Sequence, residues 1–494
     1  MSGNKLLGWG LPLLVAAIPA AAFYTLGLRS FYINGAWWGD AGILASLIWH
    51  SGWLLRTPLV SGGQSYLATH LALVFWLTSG LSWLLPFSRV QFFALFLGAV
   101  QAFMALPVYV LLVRLGVARP WAAVLAVLFA FNGMVLAASC NPHFELLIVA
   151  AGMAFLAALA CGRVWLARGL FLLCLITRED AGFHLGFLLL AGGLGLYWQG
   201  VDRVKLRPLL AYAAAALCWS AAAVVIQHVA FPGGDAITRV YLGKPAFAAL
   251  TPAVLATRLV FYLFYRLYLV LPLAIAVILA ERWRMPGLFA GFAACLPWLG
   301  LNWLAVSAIA GTLSNYYPFP MIFGLFWPLA AQDFAERMGA VRVLPRRWVL
   351  CAFMAMLLAS FVGLWGMQDP LNLRFPRDFL GIPSASSQMA AEQVVRALAA
   401  APLGRVAVDG SVIALAPNQF LQSQWVLNPQ SKLPDTVIFF TAGPGTGEAL
   451  KLAARAGLTN FLQIPGTALR VATNKTLDLK ALNLQPWTPS GASN

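Results

Sequence analysis

Charge is scarce in this chain. Of 494 residues only 10% are Asp, Glu, Lys or Arg, and 16 acids stand against 32 lysines and arginines. A soluble domain of such length carries about a quarter charged residues, so an ordinary soluble globule is excluded. Cysteine is sparse too, at 6 residues. Cys140, Cys161, Cys174, Cys218, Cys295 and Cys351 all fall in or beside apolar blocks, and no pair has metal-ligand spacing. Neither a disulfide framework nor a zinc cluster is indicated, which leaves them as small core residues. Despite a net charge of +16, no basic run interleaves with aromatic residues, and nucleic acid is excluded as a partner. The Gly443–Pro444–Gly445–Thr446–Gly447 loop has no following lysine and reads as a turn, not a phosphate cradle.

What the chain has is apolar residue, 61% of the total, in blocks of roughly 18 to 25, the length that crosses about 30 Å of hydrocarbon. Barrel strands would alternate apolar and polar residues and these blocks do not, so the expectation is an α-helical polytopic membrane protein. Spans are predicted near 9–29, 90–113, 120–138, 144–161, 164–177, 181–198, 208–230, 259–280, 287–309, 318–335 and 348–367, about eleven in all. The first block follows Lys5, is too long for a signal-peptide core and lacks a small-residue cleavage site, so it reads as a retained span. With the N-terminus cytoplasmic, every inner loop is basic: Arg114 and Arg119; Arg163 and Arg168; Arg203, Lys205 and Arg207; Arg282 and Arg284; Arg337, Arg342, Arg346 and Arg347. That is the orientation the positive-inside rule requires, and it puts the 30–89 segment and everything past 368 outside.

Counting 70–86 as a span would reverse every later loop. The segments 41–55 and 70–86 are therefore expected as helices lying at the outer interface, where Trp49, Trp53, Trp76 and Trp83 suit the headgroup region. The transmembrane domain then covers 1–370. From about 376 the composition changes. Ser384–Pro402 reads as an amphipathic helix, and short apolar runs at Arg405–Val408, Val437–Phe440, Asn460–Ile464 and Leu469–Ala472 alternate with turn residues. A small extracytoplasmic α/β domain over 376–494 is predicted.

Ionisable groups in membrane spans are costly and tend to mark function. On this orientation Asp202, Glu281, Asp333 and Glu336 lie at the inner surface, where solvated pairing accounts for them. Asp40, Glu145, Glu179, Asp180 and Asp235, and the histidines His50, His70, His143, His184 and His228, map to the outer half. Asp40, after Trp37–Trp38–Gly39, reads either as a general base or as the cap of the helix that follows. His143 and Glu145 either face a cavity above the bundle or open a proline-initiated helix. Arg178–Glu179–Asp180 interrupts an apolar stretch, with His184 one turn on; Arg178 is expected to hold a phosphate while an adjacent acid pairs with it or contacts a sugar hydroxyl. Arg239, Lys244 and Arg258 run against the charge rule on the outer side, which suggests lipid phosphate or plain snorkelling. Tyr316 and Tyr317 line the same cavity or belong to an aromatic belt.

A first span, an outer loop with an acid near its start, then two interfacial helices before the second span resembles the GT-C membrane glycosyltransferases. Within that group the chain is similar to a bacterial membrane-protein family of unassigned activity, domain of unknown function 2079. The segments that carry the likeness are Gly39–Asp40–Ala41–Gly42, the His70 region, Asn141–Pro142–His143–Phe144–Glu145, Arg178–Glu179–Asp180, Asn315–Tyr316–Tyr317, and Arg405–Phe420 with Ala416–Pro417–Asn418. The resemblance implies a bacterial inner-membrane enzyme that moves a sugar from a polyprenyl-phosphate donor to a glycan or lipid acceptor on the extracytoplasmic side. Of the family's residues it implies Asp40 alone, the acid that acts as general base or positions a metal. Taken with the charge placement above, it puts His70, His143, Glu145, Arg178, Glu179, Asp180, Arg239, Lys244, Arg258, Tyr316 and Tyr317 in the expected substrate site. The commonest GT-C pattern has two adjacent acids in the first loop. Here Gly39 precedes Asp40 and Ala41 follows, so a divalent cation stays an open cofactor. The alternative is a non-catalytic lipid-binding or transport membrane protein.

Overall fold

A computed structural model describes residues 3–34, 39–56, 65–139, 143–232, 237–314, 316–364, 379–408, 410–415, 433–441, 446–465 and 467–489; the side chains of 3–9, 34, 39–40, 237–239 and 410–411 stand outside that description. The chain is mostly helical and divides into two units. The first comprises Met1–Ala21, Leu67–Val74 and Gly98–Leu373; the second comprises Ala22–Tyr66, Phe75–Leu97 and Arg374–Asn494.

Among the described residues six helices are long and apolar enough to cross a membrane: Gly10–Ile33, Arg89–Arg114, Arg119–Ser139, Ala181–Trp198, Arg203–Ala230 and Arg346–Leu364. The pair Pro252–Tyr265 and Leu267–Arg282, bent by 78° at its break, makes a seventh if it counts as one span. This makes a multi-pass membrane protein, with fewer full-length helices than the eleven spans expected. The difference lies in segments that are helical but short or irregular. Leu146–Ala160 and Val164–Leu175 run for 15 and 12 residues. The expected span 287–309 is a 3-10 stretch, Pro286–Cys295, followed by the short helix Leu296–Trp303.

In the first unit helices approach closely where glycine omits a side chain. A Cβ on Gly182 would lie 2.0 Å from the Ala216 carbonyl oxygen, and one on Gly363 would lie 2.2 Å from the Tyr268 nitrogen. Contacts of this kind are what holds helices together in lipid, where burial of apolar surface gives no net drive. One end of this unit is basic and internally tied. Arg114 Nε meets Asp333 at 2.7 Å, Arg346 Nη2 meets Glu336 at 2.7 Å, and Lys205 Nζ donates to the Met338 carbonyl at 2.7 Å. Asp333 is only 5% exposed, so the solvated pairing expected for it is instead a buried one. Gly339, at φ 69°, closes the helix Ile322–Met338 in the left-handed conformation that glycine adopts without strain.

The second unit contains the helices Gly39–Ile48 and Val74–Leu84, the latter from Phe75 on, within the two stretches expected to lie at the interface. Trp53, Trp83 and Leu84 are 78%, 69% and 77% exposed, which suits a headgroup environment and would be costly in water. The helix Arg89–Arg114 starts in a capping box: Ser88 Oγ accepts from the Gln91 N–H and Gln91 Oε1 accepts from the Ser88 N–H. The tail of the chain builds a five-stranded sheet from β1 (Val406–Val408), β2 (Thr436–Phe440), β3 (Asn460–Gln463), β4 (Leu469–Thr473) and β5 (Gln485–Pro486), in the order β1-β2-β4-β3-β5. Only β1 and β2 are parallel. Ala449, Leu452 and Ala453, on one face of the helix Thr446–Arg455, pack with Val437 and Phe439 as the core. Residues 443–445 of the expected glycine-rich turn lie outside the described residues.

The amphipathic helix, Ala385–Ala400, and the residues before it are fastened within the second unit to the end of the first span and to the start of the helix Arg89–Arg114. Tyr32 donates its hydroxyl to Glu392 Oε1 at 2.7 Å, Gln91 Nε2 donates to Gln388 at 3.0 Å, and Arg29 donates to the Gly381 carbonyl at 3.0 Å. The short helix Gly410–Leu415 packs against Gly39–Ile48.

Candidate functional site

The end of the first unit opposite the basic one gathers most of the ionisable residues singled out in the sequence. The turn between Val164–Leu175 and Ala181–Trp198 presents Arg178, Glu179 and Asp180, and the turn before Leu146–Ala160 presents His143 and Glu145. Glu145, His184 and Asp180 are 0%, 0% and 1% exposed. Charges so far from water survive only when paired and hydrogen-bonded, and these are. Arg178 Nε donates to Asp180 Oδ1 at 2.5 Å, its Nη2 donates to Asp180 Oδ2, and its Nη1 donates to Glu145 Oε1 at 2.7 Å. The other Glu145 oxygen accepts from His143 Nδ1. At Glu145 the His143 imidazole and the Arg178 guanidinium offset the cost of burying a carboxylate. The Asp180 carboxyl is held below its ordinary range: burial opposes ionisation, and Arg178 overcomes it.

A second bridge joins this turn to the 67–74 segment. Glu179 takes His70 Nδ1 on one oxygen and the Leu71 N–H on the other, each at 2.9 Å, and the Val74 N–H donates to the Ile176 carbonyl at 2.9 Å. Burial works to lower the His70 imidazole, and Glu179 reverses that, so its pKa is raised. His184 Nδ1 donates to the Ala294 carbonyl at 2.7 Å, which fixes its tautomer, and its Nε2 lies 3.5 Å from Asp180 Oδ2. His143 stacks on Tyr316 with ring centres 3.9 Å apart, and Tyr316 stacks on Tyr317 at 4.7 Å. Tyr241, which the sequence did not single out, stacks on Trp298 at 5.5 Å.

Each guanidinium nitrogen of Arg178 donates to a carboxylate, which uses three of its five N–H donors, so it frames the site with its charge shared between Asp180 and Glu145. Arg258, 4% exposed, donates to the carbonyls of Trp303 and Ala305, each at 2.5 Å. Arg266, at the break of the bent pair, donates to the carbonyls of Thr312, Leu313 and Tyr265 and to Ser314 Oγ. Both hold the 303–314 segment by its backbone. Lys244 is exposed. Asp40 stands second in the helix Gly39–Ile48; its side chain, that of Arg239, and Asn141, Pro142, Asp235 and Asn315 lie outside the described residues. Among the described residues no group of three His, Cys, Asp or Glu side chains gathers as a metal site would require. The described cysteines are unpaired.

The structure thus brings His70, His143, Glu145, Arg178, Glu179 and Asp180 together with Tyr316 and Tyr317 at one end of a membrane unit. No protein-family model and no curated protein matches this chain. Among solved structures, that of ArnT from Cupriavidus metallidurans bound to undecaprenyl phosphate is similar at 13% identity and a TM-score of 0.41, over 96% of this chain and 98% of that one.

Proposed function

We propose that the chain is a GT-C-type glycosyltransferase of the bacterial inner membrane, of the kind gathered as domain of unknown function 2079. It moves a sugar from a polyprenyl phosphate to a glycan or lipid acceptor on the extracytoplasmic side. The observation that carries this reading is the buried network of three carboxylates, one guanidinium and three imidazoles at one end of the membrane unit. The basic residues gather at the opposite end, which the positive-inside rule assigns to the cytoplasm. Ionisable groups are kept in a membrane protein where substrates or ions are handled.

On this reading Asp40 takes the proton from the acceptor hydroxyl as it attacks the anomeric carbon, and the lipid phosphate leaves with the bonding electrons. Arg239 and Lys244 stabilise the charge that develops on that phosphate. Arg178, bonded to carboxylates, and Arg258, bonded to backbone carbonyls, hold the walls. His143, Glu145, Tyr316 and Tyr317 shape the sugar pocket, braced by His70, Glu179 and Asp180. The domain 376–494 stands on the extracytoplasmic side and covers or presents the acceptor. A divalent cation at the phosphate is the one cofactor this scheme leaves open. The test is binding of polyprenyl phosphate to the purified full-length protein. Wild type should bind, and the double variant Arg239→Ala, Lys244→Ala should bind at least tenfold more weakly. Equal binding by both removes these two cations from the scheme.

One observation favours the alternative of transport or lipid binding without chemistry, namely the pair bent by 78° at Arg266, since broken helices are a transporter device. Lipid binding with no sugar transfer under any donor would select it.

A further inference from the structure

At the basic end of the first unit a cavity of about 410 Å³ opens beside the end of the helix Leu267–Arg282 and the 341–344 loop. Its floor is apolar: Trp283, Met285 and Leu344 line it and pack together against Ala280 and Leu288. Arg284 and Arg342 also line it. Both are exposed, and among the described residues neither side chain has a carboxylate partner, because Glu336 is taken by Arg346 and Asp333 by Arg114. Arg284 sits at φ 54° where the helix closes, with the Met285 N–H returning to the Ala280 carbonyl at 2.8 Å. Glycine is the usual residue at such a position, so the chain keeps a guanidinium there against a backbone cost. Beside the two cations the rim is apolar: Val341 is 83% exposed, and Trp348, which lies against Trp283 at 5.6 Å, is 44% exposed.

We propose that this cavity holds the headgroup of an anionic membrane phospholipid, its phosphate between Arg284 and Arg342 and its glycerol and upper acyl carbons on the floor of Trp283, Met285 and Leu344. A free anion would use the cations alone and leave the apolar floor and rim in water. A phospholipid uses both, and a basic pocket between the ends of membrane helices is where such headgroups bind. The site lies at the opposite end of the unit from the ion network, and the inference needs a membrane protein but no transferase activity.

The experiment is a titration of the detergent-purified full-length protein with short-chain phosphatidylglycerol, short-chain phosphatidylcholine and inorganic phosphate. Wild type should prefer phosphatidylglycerol. Each of Arg284→Gln and Arg342→Gln should weaken that binding roughly fivefold, and the pair about twenty-five-fold. Arg119→Gln, an exposed arginine elsewhere, should leave it unchanged, and thermal melts should show all variants folded, since the residues replaced are exposed. Three results would overturn the proposal: equal affinity for both lipids, unchanged binding in the double variant, or inorganic phosphate competing at the same concentration as phosphatidylglycerol. The last would identify a soluble-anion site.

Discussion

Glu145 and Asp180 are ionised with almost no water around them, and Arg178 is the cation that makes this tolerable. Breaking a buried pair by removing one partner leaves a charge uncompensated and costs about 3–5 kcal/mol. Arg178→Met should therefore lower the unfolding free energy in detergent by that amount. A loss of less than about 1 kcal/mol, the worth of an exposed pair, would show that the network is wet. His70 gives a pH signature. Its pKa is raised above the ordinary value of 6.5 by Glu179, so the stabilisation is complete below that value and is lost as pH rises through the raised one. The melting temperature of wild type should fall over that interval, and that of His70→Gln should not. The sequence made Arg178–Glu179–Asp180 visible because three charges interrupt an apolar run. It did not reveal that Arg178 would turn to Glu145, 33 positions away, because local pattern carries no information on which turn meets which. The pairing of Arg178 with two carboxylates was therefore not legible beside its expected role at a phosphate.

Among the elements, the helices that carry the site are positioned by close approach. Gly182, two residues after Asp180, faces the Ala216 carbonyl so closely that an added Cβ would lie 2.0 Å from it. Gly182→Ala should cost about 1–3 kcal/mol through the forced shift of the helix Arg203–Ala230, read as a drop in melting temperature; an unchanged melt would mean that the two helices are not in contact there. Sequence periodicity located these helices well, since long apolar blocks between basic loops leave little choice. It did not distinguish the bent pair or Pro286–Cys295 from the other expected spans. Hydropathy counts apolar side chains. It does not register that Arg266, set among tyrosines, would satisfy its donors on carbonyls of the 312–314 segment and so mark a break. Nor does it separate a 3-10 stretch from an α-helix of the same composition.

For the whole molecule, the proposed orientation rests on the asymmetry between a basic end and an end rich in histidine and carboxylate. In a background with all six cysteines replaced by alanine, a membrane-impermeant thiol reagent on intact cells should label Lys451→Cys in the tail and spare Val341→Cys at the basic end. The opposite labelling would reverse the proposed topology. The tail sheet was legible in the short apolar runs separated by Gly, Pro, Asn and Asp. The ties of the helix Ala385–Ala400 to Tyr32 and Gln91 were not, because they join residues 360 and 297 positions apart. The measurement that bears most directly on the proposed function is sugar transfer by the purified full-length protein, given a panel of polyprenyl-phosphate sugars and extracted membrane glycans and lipids as acceptors. Transfer by wild type, reduced by roughly a hundredfold or more in Asp40→Asn, is the expected result for the loss of a general base. Transfer that survives Asp40→Asn intact would contradict the assignment of the base.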